Sequence, residues 1–153
     1  MKKTFIIVTA IILLLAACSK EYAIETPLQT ESAVPVSCTD GASFVEDVTV
    51  PDETEFTPGK AFKKTWRIKN TGTCTWNEDY HLVFAMNNQM GAPDFVSLKT
   101  TLPGEELDIS VEMTAPSVKG SYRADFQLLD PHGLLIPVDN GNYLWTIVTV
   151  DTP

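Results

Sequence analysis

The chain has 153 residues, of which 44% are hydrophobic and 20% are charged. This length allows one domain or two very small ones. Its 11 Lys and Arg residues stand against 20 Asp and Glu residues, a net charge of −9. Such a balance argues against a nucleic-acid partner, because phosphate binding requires a basic surface.

Residues 1–17 predict a cleaved leader. Lys2 and Lys3 precede an uncharged, mostly apolar run from Phe5 to Ala17. This run is shorter than the ~20 residues that a membrane-spanning helix needs. It matches the charged start and apolar middle of a secretory signal peptide.

The end of this leader, Leu15-Ala16-Ala17-Cys18, resembles the bacterial lipobox. The resemblance implies cleavage before Cys18, a diacylglycerol on the Cys18 thiol and usually an acylated amine, with fatty acids such as palmitate. Two or three acyl chains anchor a protein stably. We therefore expect a lipoprotein of the bacterial cell envelope that faces outside the cytoplasm, on the cytoplasmic membrane or, as Ser19 favours in a two-membrane host, on the outer membrane. The alternatives are an ordinary signal peptide cut after Ala17 and a buried apolar helix with an incidental Cys.

Residues 18–40 predict a lipidated, flexible tether. They are rich in Ser, Thr, Glu and Pro and have neither a strand period nor a helical period, which is typical of a disordered linker. A coil of twenty residues reaches roughly 25 Å, so the tether is expected to hold the rest of the chain away from the lipid surface.

Residues 41–153 predict an all-β domain. Short alternating runs are separated by Pro, Gly, Asn and Asp, the pattern of strands and turns. Seven strands without an amphipathic helix indicate an immunoglobulin-like antiparallel β-sandwich. The predicted strands lie at Phe44–Val50, Phe62–Ile68, Leu82–Met86, Phe95–Leu98, Leu107–Met113, Tyr122–Leu128 and Leu144–Val150.

Tyr122 begins the sixth predicted strand, directly after Gly120-Ser121. A Tyr in this position resembles the tyrosine corner of immunoglobulin-like domains, in which the hydroxyl bonds an upstream backbone group. The alternative is that Tyr122 is one more aromatic residue of the core.

Cys38 and Cys74 are the cysteines left if Cys18 carries lipid. Outside the cytoplasm a disulfide between them is the expected state. The alternatives are two free thiols or a metal site with His81 or His132, for which the spacing is unsuitable.

Several motifs between residues 40 and 151 resemble the four-tryptophan (FW) domain, the immunoglobulin-like central domain of selective-autophagy receptors of the "next to breast cancer gene one" type. That domain also occurs in bacterial secreted proteins and lipoproteins. The resemblance implies a non-enzymatic module that binds protein or peptide. The motifs are Asp47–Asp52, Lys64–Trp76, Tyr80–Phe84, Leu102–Glu105, Ala115-Pro116, Gly120–Tyr122 and Leu144-Trp145.

The chain departs from the family pattern at two places. Phe126 stands where a third Trp is usual, and Leu134–Pro137 replaces the usual Phe-Gly. The fold is expected to tolerate Phe for Trp, since both are large apolar rings.

The three Trp residues are candidates for core or contact roles. Trp66 alternates into the core, whereas Trp76 and Trp145 are the candidate partner contacts. The phase of the last strand determines whether Trp145 is buried or exposed. If Leu144, Val148 and Val150 face inward, Trp145 lies on the surface. The opposite phase buries it.

Lys63, Lys64, Arg67 and Lys69 concentrate positive charge on the second predicted strand. Three interpretations are open. These residues form a solvated outer face, they pair with Glu112, Asp108 or Asp125 on neighbouring strands, or they dock an acidic chain.

No motif indicates an enzyme or a cofactor. Weak calcium binding is an alternative for the acidic segments Asp52–Glu55 and Asn77–Asp79, although they lack the ligand spacing of a known calcium loop. The favoured function is a lipid-anchored binding module for a protein or peptide. The alternatives are a structural or adhesive envelope spacer without a dedicated ligand, and a carbohydrate-binding sandwich.

Overall fold

A computed structural model describes residues 37–139 and 141–151. The predicted leader, Cys18 and the greater part of the predicted tether lie outside these residues. Within them the chain forms nine β-strands and no helix. The strands are β1 (Ala42–Thr49), β2 (Thr54–Phe56), β3 (Ala61–Asn70), β4 (His81–Asn87), β5 (Phe95–Ser97), β6 (Glu106–Thr114), β7 (Gly120–Leu129), β8 (Leu135–Ile136) and β9 (Leu144–Val150).

The strands form two sheets. The smaller sheet has the order β1-β3-β6, and the larger has the order β2-β9-β7-β4-β5 with β8 beside the end of β7. All pairs are antiparallel except β2 with β9. The predicted all-β, immunoglobulin-like sandwich is confirmed. The sequence pattern missed β2 and β8, which have three and two residues, although it predicted the equally short β5.

The core lies between the sheets and follows the period of two of each strand. On β6 the residues Leu107, Ile109, Val111 and Met113 are buried and their neighbours face water. Phe126 is fully buried, and its ring centroid lies 5.3 Å from that of Trp66. Phe therefore fills the position of the missing Trp within the core, and Trp66 is a core residue as expected.

The tyrosine corner is confirmed. The Tyr122 hydroxyl donates a 2.8 Å hydrogen bond to the carbonyl of Val118, four residues upstream. This bond ties the start of β7 to the loop that precedes it.

Cys38 and Cys74 form a disulfide. It joins the segment before β1 to the loop after β3. Thr73 N–H and Thr39 carbonyl form a 2.7 Å hydrogen bond beside it, so the first described residues are held against the domain. No helix in residues 37–139 and 141–151 is long and apolar enough to cross a bilayer.

Candidate functional site

The basic residues of β3 divide between its two faces. On the outer face Lys63 pairs with Glu112 at 2.9 Å, and Arg67 pairs with Asp108 at 2.7 Å. The hydrogen bond with Asp108 raises the pKa of the Arg67 guanidinium and lowers the pKa of the Asp108 carboxyl. These cross-strand pairs confirm two of the partners expected from the sequence.

Lys64 and Asp125 differ from that expectation. Lys64 occupies an inward position of β3 and is fully buried. Its ammonium donates to the Asp47 carboxylate at 2.6 Å and to the Val50 carbonyl at 2.7 Å. It is therefore not part of a solvated face or docking strip, because a buried ammonium needs these bonds in place of water. Asp125 pairs with Arg123 of its own strand instead of with β3.

An open groove separates β1 of the smaller sheet from β9 of the larger sheet. It has a volume of about 330 Å³. β1 is an edge strand, and β2 covers β9 only along Val148–Val150. The sandwich is therefore not closed beside the first half of β9. Throughout, "the β1–β9 groove" means the space lined by Phe44, Asp47, Asp52, Trp66, Val138, Asp139, Gly141, Tyr143, Leu144 and Trp145.

Trp145 is the part of the groove that the sequence predicted. Leu144, Val148 and Val150 are buried, so the alternation of β9 leaves Trp145 on the surface with 44% of its area exposed. Its indole Nε1–H donates to Asp52 at 2.9 Å. The second oxygen of Asp52 accepts the Ile147 N–H at 3.0 Å. The Trp145 ring is thus held by the loop between β1 and β2.

Arg123 and Asp125 support the same ring from β7. Asp125 lies opposite Trp145 in the strand register and is buried. It accepts hydrogen bonds from Arg123, at 2.6 Å from Nη2, and from the Asn87 amide. The bond to Asp125 raises the pKa of the Arg123 guanidinium. That guanidinium lies 5.1 Å from the centroid of the Trp145 ring, within the range of a cation–π contact.

The opposite wall comes from β1 and the segment after β8, and sequence reasoning missed it. Phe44 is 43% exposed although it lies on β1 opposite the inward residue Ile68. Its backbone N–H donates to Asp139 at 2.8 Å. Strand alternation had predicted Phe44 as part of the first strand. No local pattern connects it with Asp139, 95 residues away.

Trp66 forms the floor of the groove. Its buried indole Nε1–H donates to the Trp145 carbonyl at 2.9 Å, and the Lys64 ammonium lies 5.4 Å from its ring centroid. The floor therefore connects the two sheets by a directed bond as well as by packing.

The prediction that Trp76 contacts a partner is wrong. Trp76 is fully buried, because its backbone pairs with Thr101 through bonds of 3.0 and 3.1 Å that hold the loop against the sandwich. Its ring is not available at the surface.

The described residues contain no group of three His, Cys, Asp or Glu side chains suited to a metal ion. The fold and the groove together define the class of the protein. It is an immunoglobulin-like β-sandwich with an aromatic, carboxylate-bearing recess at one sheet edge.

Comparison with known proteins identifies the family. Residues 49–150 match the family described as the Ig-like domain from next to BRCA1 gene, and the chain belongs to this family. Domains of this type are generally protein-interaction modules.

Three relatives illustrate the similarity. Protein ILRUN of Danio rerio is 35% identical over 113 residues, covering 74% of this chain and 38% of the relative. Protein JOKA2 of Solanum tuberosum is 32% identical over 112 residues, covering 71% of this chain and 12% of the relative. Next to BRCA1 gene 1 protein of Mus musculus is 36% identical over 104 residues, covering 66% of this chain and 10% of the relative. The chain thus spans less than two fifths of the length of these relatives.

Proposed function

We propose that the chain is a lipid-anchored module that binds a protein partner outside the cytoplasm, with the β1–β9 groove as its contact surface. The observation that carries the proposal is that two half-exposed aromatic residues, Phe44 and Trp145, line the same groove. Large aromatic residues around a pocket are the usual anchors of protein interfaces. Membership of a family of interaction domains supports the same conclusion.

The sheet edges favour the groove over strand addition. β1 is irregular between Phe44 and Glu46 and again between Asp47 and Thr49, and such bulges oppose pairing with another chain. The edge strand β5 has three residues. A partner is therefore expected to insert side chains between the sheets instead of extending either one.

The proposed anchor rests on the amino-terminal sequence. The leader has the order of parts that a lipoprotein leader has: two lysines, an uncharged run and then Leu15-Ala16-Ala17-Cys18. The Cys38–Cys74 disulfide supports an oxidising compartment. The excess of acidic residues supports a domain that does not lie on anionic lipid.

Photo-crosslinking in living cells of the host tests the groove as a protein contact. The full chain carries p-benzoylphenylalanine in place of Phe44, or in place of the exposed loop residue Val118 as the matched control. We expect a defined protein adduct from position 44 that Trp145→Ala reduces at least about tenfold, the scale of an interface anchor. Mass spectrometry identifies the adduct.

Adducts of equal yield from positions 44 and 118, or an adduct at 44 that Trp145→Ala leaves unchanged, would contradict the proposed contact surface. Circular dichroism of the Trp145→Ala protein establishes that the sandwich persists in the variant.

Mass spectrometry of the purified protein tests the anchor separately. We expect a chain that begins at Cys18 and carries two or three acyl groups, since one chain anchors only marginally. Cys18→Ser should move the protein from the membrane fraction to another fraction. An uncut chain with an unmodified Cys18 thiol would contradict the anchor and leave the groove untouched.

A further inference from the structure

We propose that the β1–β9 groove takes an arginine side chain presented by the partner protein. This inference rests on the proposed function and names the chemistry that its site recognises. It combines the aromatic walls of the groove, its uncompensated negative charge and the hydrogen bonds that hold both in place.

The walls suit a guanidinium group. Planar guanidinium groups stack on aromatic faces and are more weakly hydrated than ammonium groups. Phe44 from one sheet and Trp145 from the other line the groove, with 43% and 44% of their areas exposed. The Trp145 ring already has one guanidinium against it, that of Arg123 at 5.1 Å from its centroid.

The charges of the groove are unbalanced. Lys64 pairs with Asp47, and Arg123 pairs with Asp125. Asp52 and Asp139 also line the groove, and their hydrogen bonds come from neutral N–H donors of Trp145, Ile147 and Phe44. The Asp52 charge also acts on the Arg123 guanidinium. Asp139 is therefore the groove carboxylate without a cationic partner among the described residues, and the recess beside it complements a cation.

The carboxylates are also held in position. The Phe44 N–H occupies Oδ2 of Asp139, which orients the carboxylate and leaves Oδ1 for a second donor. Asp52 is held more firmly, because the Trp145 indole occupies Oδ2 and the Ile147 N–H occupies Oδ1. Because these groups are ordered before binding, little entropy is lost when a ligand enters. A forked guanidinium matches a carboxylate better than a single ammonium does.

The test uses the full chain, labelled with ¹⁵N, purified from membranes in detergent and titrated with acetyl-Gly-Arg-Gly-amide. The matched probe is acetyl-Gly-citrulline-Gly-amide, which keeps the shape of arginine and removes its charge. The indole N–H signals report binding: Trp66 and Trp145 line the groove, whereas Trp76 is buried outside it and serves as the internal reference.

We expect the arginine peptide to shift the Trp66 and Trp145 signals and to leave that of Trp76 in place. The citrulline peptide should bind at least about tenfold more weakly, the scale of a hydrogen bond to a charged group. Asp139→Asn should weaken arginine binding by a similar factor, since its amide oxygen still accepts the Phe44 N–H but the charge is lost. Glu112→Gln, which removes the same charge from the outer face of β6, should have no such effect.

Equal binding of the arginine and citrulline peptides overturns the inference, as does Asp139→Asn with unchanged affinity. Equal shifts from methyl β-glucoside also overturn it, in favour of a carbohydrate. A Trp145-dependent protein crosslink without arginine selectivity refutes only this inference. Arginine selectivity without any Trp145-dependent protein crosslink refutes only the proposed function.

Discussion

Thr146 places a hydroxyl group inside the core. It lies at an inward position of β9 between Leu144 and Val148 and is fully buried. Its Oγ1 has no hydrogen-bond partner among the residues that the structure describes. An unpaired buried polar group lowers stability, because it has lost its bonds to water.

Thr146→Val is therefore expected to raise the free energy of unfolding by about 1 kcal/mol, as the methyl group replaces the hydroxyl with little change of shape. Urea unfolding measures the change. Thr65→Val is the matched control with the opposite sign, since Thr65 Oγ1 and Ser110 Oγ form a 2.8 Å hydrogen bond that the variant breaks. A destabilised Thr146→Val protein would contradict the assignment.

Asp40 makes stability depend on pH. Burial raises the pKa of its carboxyl above 3.8, the Asp130 charge raises it further, and a hydrogen bond with Tyr80 opposes them. Below pH 3.8 the carboxyl is neutral in both the folded and the unfolded chain. As pH rises, the unfolded chain ionises first, so stability falls until the pH passes the pKa of the folded state.

Asp40→Asn should consequently be more stable than the parent chain at pH 7, and this advantage should vanish near pH 3. Asp108→Asn is the control of opposite sign. The Arg67 hydrogen bond lowers the pKa of Asp108, so its contribution is present above pH 3.8 and is lost as pH falls through the lower folded value. Unfolding curves from about pH 2 to pH 7 test both signs, and parallel profiles for the two variants would refute the assignment.

At the scale of the element, β3 shows how far the alternation of residues along a strand predicts which side chains face inward. Its even-numbered residues face inward, including Lys64 and Asn70, and its basic odd-numbered residues face outward. The alternation predicted this phase correctly for Trp66 and Ile68. It did not predict that Lys64 is buried, because the carboxylate that neutralises it belongs to β1.

The turn after β3 depends on close contact with the segment before β1. A Cβ atom at Gly72 would lie 2.4 Å from the Thr39 carbonyl oxygen and 2.9 Å from the Gly41 nitrogen. Both neighbours are backbone atoms, which cannot move aside without displacing the chain. Only glycine fits this position.

We expect Gly72→Ala to lower the free energy of unfolding by about 1–3 kcal/mol, the range of overpacking in a tight site. Chemical denaturation measures the loss. Gly141→Ala is the matched control, since the nearest atom to its added Cβ would be 3.8 Å away. Equal stability of the Gly72→Ala protein and the parent chain would contradict the close approach.

At the scale of the whole molecule, the disulfide ties the amino-terminal side of the domain to its interior. It closes a loop with a sequence separation of 36 between the two cysteines. A cross-link of this length restricts the unfolded chain and stabilises the fold by about 4 kcal/mol in the chain-entropy description.

Replacing Cys38 and Cys74 by Ser together should lower the free energy of unfolding by about this amount, with strand content preserved in circular dichroism. Cys18→Ser serves as the control and should leave the unfolding midpoint unchanged. Unfolding of the double variant at the midpoint of the parent chain would exclude a stabilising role for the cross-link.

The sequence alone determined the sandwich, seven of the nine strands in the described residues, the core role of Trp66 and the tyrosine corner, because strand periodicity and turn residues are local signals. The cysteine count likewise predicted the disulfide, and the lipid anchor at Cys18 stays a prediction. Only the tertiary structure decided which of the other Trp residues are buried and which are exposed. Trp76 is buried because Thr101 pairs with its loop, and Trp145 is exposed because its neighbours fill the core. The groove combines β1, the loop after it and the segment around β9, which strand pairing brings together and no local pattern connects.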